Sequence, residues 1–274
     1  MPKLAQSRDY LAVLGLRTFY IKTGEGHPIV LCHGGSPGTC SSVNWKLNIE
    51  PLAEAGFAVY AFDQPGFGLT DNPTDYSLDF RFAHARAFID AMKLERYHVM
   101  GNSMGAHLAA RLALEDARAK KLVLISSNTL APKGSAESQA KSKKHAEELR
   151  EYTPTLENMR KMTFGTIYHR ELVTDELVRE RYEMSTGKNY DAQLKRYDAP
   201  KSKPLEDRLG NLKCKTLIIW GKNDHGTSVE QAWLMFQKIP RAELHIFEEA
   251  AHWVHWDHAE RCNVLISDFL RGAD

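Results

Sequence analysis

The chain has 274 residues, with 36 Lys and Arg against 35 Asp and Glu and a formal net charge of +1. Its content of 43% hydrophobic and 26% charged residues is typical of a globular protein and excludes a disordered, collagen-like or coiled-coil chain. The near-zero charge provides no general attraction for nucleic acid or for an anionic membrane surface. A chain of this length buries roughly 75% of its unfolded surface, so its core needs no disulfide or metal ion.

Three features of the sequence predict a cytoplasmic protein. The four cysteines form no Cys-x-x-Cys pair and are too few for a disulfide framework, which favours reduced thiols. The N-terminal run MPKLAQSRDYLAVLGLRTFYIK has no apolar segment followed by a cleavage site, so no signal peptide is expected. No window contains 18 uncharged apolar residues, so neither a membrane span nor a membrane partner is expected.

In chain order, the predicted elements alternate between strands and helices. The opening runs YLAVLG and RTFYIK predict an antiparallel hairpin. Six later apolar runs predict strands, at 28–34, 58–63, 97–102, 121–127, 216–221 and 243–247. Most of these runs are apolar at nearly every position, as expected for strands buried on both faces. Patterns of helical length lie between or after them, at 44–55, 79–92, 104–116, 229–238 and 259–270. This alternation predicts an α/β protein with a mostly parallel, eight-stranded sheet and helices on both faces.

One segment interrupts the alternation. Residues 131–208 contain no convincing strand, and 30 of these 78 residues are charged, against 26% of the whole chain. The runs HAEELREYTPTLENMRKM and DELVRERYEM predict amphipathic helices. We therefore predict a core of residues 1–130 and 209–274 with a helical insertion at 131–208. The insertion is either a solvated decoration or, as is usual for long inserts, a lid over an active site.

A serine stands where the strand predicted at 97–102 turns into the helix predicted at 104–116, in the run Gly101-Asn102-Ser103-Met104-Gly105. The glycines permit the tight turn that holds a strained serine at the carboxyl edge of a sheet. Open α/β folds bind ligands at that edge. Ser103 is therefore the candidate nucleophile.

A serine hydroxyl needs a base, and His252 is the best placed of the twelve histidines. It follows the last predicted strand, from which an imidazole can reach Ser103 across the top of the sheet. Asp224 directly follows the strand predicted at 216–221 and can orient the imidazole. The chain order of these three residues is that of one class of serine hydrolases.

Further motifs define the environment of the serine and exclude other chemistry. The run HGGSPG at 33–38 follows the first predicted parallel strand, and its small residues let backbone amides approach a substrate oxygen. The amide of Met104 supplies a second donor. His252, His255 and His258 lie on one short segment without a carboxylate or cysteine placed to complete a metal site, so no metal ion is expected. No dinucleotide or phosphate-binding fingerprint occurs, so no cofactor is expected.

With these pieces in place, the chain resembles the α/β-hydrolase superfamily over nearly its full length. More narrowly, it resembles the meta-cleavage product hydrolases, which cleave carbon–carbon bonds during aromatic degradation. The resemblance is carried by HGGSPG at 33–38, GNSMG at 101–105, GKND at 221–224 and HWVHWDHAE at 252–260. Two departures are Ser36, in place of the usual third glycine, and Ala106, in place of the glycine after GNSMG.

The resemblance implies an α/β-hydrolase fold with a helical lid, a Ser103–His252–Asp224 triad and no cofactor. It implies oxyanion donors at the Gly35 and Met104 amides. It further implies substrate contacts at Gly34, Ser36, Asn44, Asn102, Trp253 and Arg181, of which Arg181 would anchor a dienoate carboxylate. The implied substrate is a small molecule of the 2-hydroxy-6-oxohexa-2,4-dienoate type, which ketonises before its carbon–carbon bond is hydrolysed. A homodimer or a higher homo-oligomer is common in such proteins.

Two other functions stay open at this point. A carboxylesterase would use the same triad on a different substrate, and the Arg181 match and the GNSM run favour carbon–carbon hydrolysis over it. A ligand-binding receptor on a hydrolase fold would not need the triad, and the presence of all three residues argues against that function.

Overall fold

The structure is a computed structural model that describes residues 6–130, 133–200 and 205–273. The first five residues and the last residue of the predicted core lie outside these ranges, as do residues 131–132 and 201–204 of the predicted insertion. All four cysteines lie within the described ranges and are free thiols.

Eight strands form one mixed sheet. They are β1 (Gln6–Val13), β2 (Leu16–Thr23), β3 (His27–Cys32), β4 (Phe57–Phe62), β5 (Tyr97–Asn102), β6 (Ala119–Ile125), β7 (Lys215–Gly221) and β8 (Ala242–Phe247). Their order across the sheet is β1-β2-β4-β3-β5-β6-β7-β8. The pairs β1–β2 and β2–β4 are antiparallel, and all the other neighbours are parallel. The predicted mostly parallel, eight-stranded sheet and its opening hairpin are confirmed.

Helices cover both faces of this sheet. The described helices are α1 (Ser41–Asn44), α2 (Ile49–Glu54), α3 (Leu78–Ala91), α4 (Met104–Glu115), α5 (Ala136–Arg150), α6 (Leu156–Thr166), α7 (Asp175–Glu183), α8 (Lys188–Asp198), α9 (Val229–Lys238), α10 (Val254–Asp257) and α11 (Ala259–Arg271). Along β3, Val30 belongs to an apolar cluster that includes residues of α3, α4 and α9. Its neighbour Leu31 belongs to a second cluster that includes residues of α2 and α11. This alternation explains why the parallel strands are apolar at nearly every position.

The helices α5 to α8 are inserted between β6 and β7, and we call them the lid. No strand occurs in the described part of this insertion. A third apolar cluster joins Met159 and Leu177 of the lid to Val43 and Trp253 of the core, at the carboxyl edge of the sheet. The predicted end of the insertion, at residue 208, falls within a 3₁₀ helix, Glu206–Asn211. The division of the chain into a core and an insertion stays a prediction.

Two predicted helices are each divided in the structure, so their predicted bounds were wrong. The run at 145–162 becomes α5 and α6, separated around Pro154, and the Thr155 hydroxyl caps α6 by accepting the Asn158 amide at 3.1 Å. The run at 44–55 becomes α1 and α2. Pro51 cannot donate to the Leu47 carbonyl, which instead accepts a side-chain hydrogen bond from α11. Within the described ranges, no helix has both the length and the apolar character needed to cross a membrane.

Candidate active site

The turn between β5 and α4 holds Ser103 in an uncommon backbone conformation. Its φ of 56° and ψ of −121° lie outside the regions favoured by residues with side chains, at a cost of about 1–3 kcal/mol. Close packing explains both neighbouring glycines. A Cβ at Gly101 would lie 2.2 Å from the Gly105 carbonyl oxygen, and a Cβ at Gly105 would lie 2.0 Å from the Cys32 carbonyl oxygen. The turn therefore presents the hydroxyl at the carboxyl edge of the sheet.

His252 and Asp224 lie together at the same edge, after β8 and β7. The His252 Nδ1 lies 2.8 Å from the Asp224 Oδ2, and the two residues are only 7% and 1% exposed. The other carboxylate oxygen, Oδ1, accepts the amides of Gly226 and Thr227 at 2.8 and 3.0 Å. Because an ionised carboxylate only accepts, Nδ1 carries the proton and Nε2 is left as the basic nitrogen.

The electrostatics favour an ionised Asp224. Burial alone would raise the pKa of this carboxyl group, but the charge and hydrogen bond of His252 and the donors Thr227 and Gly226 outweigh burial and lower it. The Asn102 amide side chain, next to Ser103, lies 3.5 Å from the His252 carbonyl oxygen. The pair is thus held beside the turn that carries the serine.

The two residues that carry the predicted oxyanion donors, Gly35 and Met104, are in contact through the Met104 side chain. A Cβ at Gly35 would lie 2.8 Å from the Met104 Sδ, and a Cβ at Gly34 would lie 3.5 Å from the Ser103 Cβ. Neither the Gly35 amide nor the Met104 amide donates to another residue of the described ranges. Both amides are therefore free to donate to a ligand, and their role as oxyanion donors stays a prediction.

The predicted pocket residues Asn44 and Asn102 form hydrogen bonds that hold the glycine turn and the residue before Ser103 in place. Both side chains are fully buried and lie 3.3 Å apart, from Asn44 Nδ2 to Asn102 Oδ1. The Asn44 Oδ1 accepts the Gly34 amide at 2.9 Å, and the Asn102 Nδ2 donates to the Ile125 carbonyl at 3.3 Å. These contacts fix the positions of the glycine turn and of the residue before Ser103.

Arg181 of α7 is completely buried (0% exposed) against the same turn. Its guanidinium donates to the Thr163 hydroxyl at 3.0 Å and to the Pro37 carbonyl at 3.2 Å, with the Ser36 hydroxyl at 3.5 Å. Its Cζ lies 4.6 Å from the centre of the Trp253 ring.

The charge of Arg181 has no counterion in the parts of the chain that the structure describes. Its neighbour Glu180 pairs instead with Lys46 at 3.0 Å. Burial lowers the pKa of Arg181 to about 10, so the group is still a cation at neutral pH. A buried guanidinium without a carboxylate is the type of group that binds an anionic ligand, and the predicted role of Arg181 in carboxylate binding stays a prediction.

The three closely spaced histidines have separate partners. The His255 Nε2 lies 3.0 Å from the Asn44 carbonyl oxygen, and the His258 Nε2 lies 2.8 Å from the Glu248 carbonyl oxygen. His252 faces Asp224. In the described ranges, no group of three or more His, Cys, Asp or Glu side chains is arranged to hold a metal ion.

Sequence reasoning missed His145, which the lid helix α5 brings to the catalytic edge. Its ring centre lies 5.9 Å from that of His252. A Cβ at Gly226 would lie 2.6 Å from its Cδ2, so the glycine makes room for the ring. Burial and the nearby His252 lower the pKa of His145 to about 4. The surrounding run is strongly charged, and nothing in it distinguishes this inward residue from solvent-facing neighbours.

Buried neutral histidines predict a loss of stability in mild acid. Burial lowers the pKa of His33 and of His255 to about 3, whereas a histidine in the solvated, unfolded chain has a pKa of 6.5. Below pH 6.5 the unfolded chain therefore binds protons that the folded chain does not. Each group lowers the free energy of unfolding by up to about 1.4 kcal/mol per pH unit as the pH falls from 6.5 towards 3.

Urea unfolding at several pH values between 7.5 and 4.5 measures this dependence. Below pH 6.5, we expect the free energy of unfolding of His255→Gln to depend less steeply on pH than that of the wild type, by the equivalent of about one bound proton. Above pH 6.5, the two proteins should show the same pH dependence. A variant with the wild-type slope would contradict the assignment of His255 as a buried neutral group.

The chain matches known proteins over almost its entire length. Residues 27–259 match the family described as alpha/beta hydrolase fold. The chain is 34% identical over 264 residues to a 2-hydroxy-6-oxononadienedioate/2-hydroxy-6-oxononatrienedioate hydrolase of Burkholderia vietnamiensis, with 93% of this chain and 91% of the relative covered. It is 34% identical over 267 residues to such a hydrolase of Pseudomonas putida, with coverages of 94% and 93%. A mutant of the meta-cleavage product hydrolase CumD from Pseudomonas fluorescens IP01, complexed with acetates, superposes with a TM-score of 0.86 at 31% identity, covering 97% of this chain and 98% of that one.

Proposed function

Because the chain belongs to the α/β-hydrolase family and is related to meta-cleavage product hydrolases, we propose that it hydrolyses a carbon–carbon bond in a ring-fission product of aromatic degradation. The substrate is of the 2-hydroxy-6-oxohexa-2,4-dienoate type. The observation that carries this choice is Arg181, a buried cation without a counterion in the described ranges, placed between Trp253 and the glycine turn. A dienoate carboxylate supplies the missing anion, whereas a simple neutral ester does not.

The first stage of the proposed reaction converts the dienol to its keto form. Arg181 holds the carboxylate, and the Nε2 of His252 accepts the proton of the 2-hydroxyl group. The same nitrogen returns a proton to C5 as the double bonds shift. Asp224 keeps the imidazole in the required tautomer and stabilises its protonated form.

The second stage breaks the bond between C5 and C6. Ser103 loses its proton to His252 and attacks the C6 ketone, whose oxyanion is held by the Gly35 and Met104 amides. The C5–C6 electron pair leaves with the dienolate fragment, which takes up a proton from His252. Water then hydrolyses the acyl group on Ser103, which releases a carboxylic acid and a 2-hydroxydienoate. The chain's own residues supply every proton transfer, and the proposal involves no cofactor.

A substitution at Arg181 distinguishes carbon–carbon hydrolysis from the activity of a carboxylesterase. We expect Arg181→Gln to lower kcat/KM for a dienoate ring-fission product by roughly 10–150-fold, the loss of about 1.5–3 kcal/mol for one charged hydrogen bond. A neutral p-nitrophenyl ester loses no direct contact in this variant, so its kcat/KM should change by no more than about twofold. Loss of visible absorbance follows the first substrate, and release of p-nitrophenol follows the second.

Arg179→Gln is the matched control, because Arg179 lies on the same helix with its side chain exposed. It should leave both rates near those of the wild type. Equal losses on both substrates in Arg181→Gln would show that the arginine only orders the lid, and would favour the esterase. The predicted cytoplasmic location and the predicted homo-oligomer stay predictions, and size-exclusion chromatography with light scattering would test the second.

A further inference from the structure

The lid helix α5 packs on the rest of the chain without an apolar anchor. None of its residues, 136–150, belongs to an apolar cluster of the described ranges, whereas α6 supplies Met159 and α7 supplies Leu177 to the third cluster. A helix of 15 residues is only marginally stable in water once it leaves the core. Displacing α5 therefore exposes little apolar surface, and few contacts oppose its opening.

Polar contacts hold both ends of α5. At its start, the Ser135 amide donates to Glu230 of α9 at 3.0 Å, and the Ser135 hydroxyl donates to the same carboxylate at 2.6 Å. At its end, the Leu149 carbonyl accepts the Tyr197 hydroxyl of α8 at 2.7 Å. Between these ends, His145 brings α5 to the catalytic residues.

The ring of His145 lies over the pair formed by His252 and Asp224. Its centre is 5.9 Å from that of the His252 ring, with the two planes at 54°. Three atoms of the His145 ring lie 2.6–2.9 Å from the position that a Cβ at Gly226 would take, so a side chain there would displace the ring. Gly226 itself donates its amide to Asp224 at 2.8 Å. The ring thus packs on the loop that holds the carboxylate, beside the imidazole, where it limits the access of water to the pair.

A proton on His145 opposes this arrangement. The exposed Glu148 of the same helix lies 4.0 Å from its Nδ1, and His225, in the loop of Asp224, is exposed to solvent. From the core, Asp224 favours the protonated form, but burial and His252 disfavour it and together lower the pKa of His145 from 6.5 to about 4. The ring therefore binds a proton more readily when α5 has moved away and the ring is in water.

We propose that His145 is a positioning residue whose neutral ring holds α5 closed over the His252–Asp224 pair, so that mild acid opens the lid above the triad. The inference rests on the proposed function only for the catalytic role of that pair. In the closed state, His252 exchanges protons with Ser103 and the substrate while water is kept from the pair. The alternative is that the end contacts alone hold α5, in which case its closure does not depend on a proton at His145.

Hydrogen exchange measured by mass spectrometry tests this proposal on the complete protein without a substrate. Peptides of α5 report its opening, because the detached helix does not keep its backbone hydrogen bonds. After correction for intrinsic exchange rates, the α5 protection factor of the wild type should fall by up to roughly 30-fold from pH 7.5 to pH 5, as the shift of the pKa from 6.5 to about 4 requires. In His145→Gln it should change by no more than about twofold. Peptides of α6, which is anchored in the third cluster, report any general loss of structure.

His169→Gln is the matched control for this experiment. His169 is a second lid histidine with a similarly exposed side chain, 27% against 26% for His145, but its ring lies 5.6 Å from that of His258 instead of at the catalytic pair. This variant should keep the wild-type pH dependence. Wild-type α5 protection that does not fall in acid, or that falls equally in His145→Gln, would overturn the proposal. If α5 of His145→Gln is unprotected at both pH values, His145→Phe should restore protection with its uncharged planar ring, and failure to do so would also overturn it.

A kinetic measurement connects the closure of α5 to substrate binding. The rise in KM for a ring-fission product from pH 7.5 to pH 5 should be up to roughly 30-fold larger in the wild type than in His145→Gln. Equal rises in the two proteins would count against the proposal. If no ring-fission product is turned over, the proposed function fails, whereas the hydrogen-exchange result still decides whether His145 controls α5.

Discussion

Replacement of Ser103 by alanine is expected to lower kcat by roughly 10⁴–10⁶-fold and to leave the fold and substrate binding intact. The Ser103 backbone donates to the Ile125 carbonyl at 2.9 Å, and its φ of 56° is equally unfavourable for either residue, so little besides the hydroxyl changes. Without that hydroxyl, no covalent acyl group forms. The rate is followed by the loss of visible absorbance of a ring-fission product, and binding by calorimetry.

Ser126 offers a matched control for this substitution. It follows β6, the strand next to β5, has a φ of 45° and is fully buried. Its hydroxyl has no hydrogen-bond partner in the described part of the chain. Ser126→Ala should therefore keep the rate within about twofold of the wild type. If Ser103→Ala keeps the rate within tenfold, Ser103 is not the nucleophile.

Asp224→Asn is expected to lower kcat by about 10⁴-fold with little loss of stability. The Asp224 Oδ1 accepts two backbone amides, from Gly226 and Thr227, and an asparagine would keep its single carbonyl oxygen there. Its amide NH₂ would then face the Nδ1 of His252. The imidazole would have to accept at Nδ1, which places its proton on Nε2 and removes the base that Ser103 requires.

Asp116→Asn should show the opposite pattern and serves as the control. Asp116 is also buried, at the far end of α4 from Ser103, and pairs with Arg118 at 2.7 Å. Its loss should lower the melting temperature while kcat stays near that of the wild type. A fully active Asp224→Asn would mean that another carboxylate orients the base.

The sequence by itself determined the sheet and the placement of the catalytic candidates. A strand buried on both faces must be apolar at nearly every position, so β3, β5 and β7 are visible as continuous runs. The strained turn at Ser103 needs small neighbours, because a Cβ at Gly105 would collide with the Cys32 carbonyl, and so it also leaves a local signature. Residues that directly follow parallel strands share one edge of the sheet, which is why Asp224 could be predicted to lie near His252.

Only the tertiary structure decided which charged residues turn inward. Arg181 could be singled out only by a family resemblance, and His145 went unnoticed among the many charged positions. An amphipathic pattern distinguishes apolar from polar helix faces, but it cannot distinguish a solvated arginine from a buried one. The guanidinium of Arg181 is buried because α7 packs beside the turn at Ser36 and Pro37, and this contact joins residues distant in the chain. The substrate preference proposed for this protein therefore depends on the packing of the lid and helices around the triad, which no local pattern encodes.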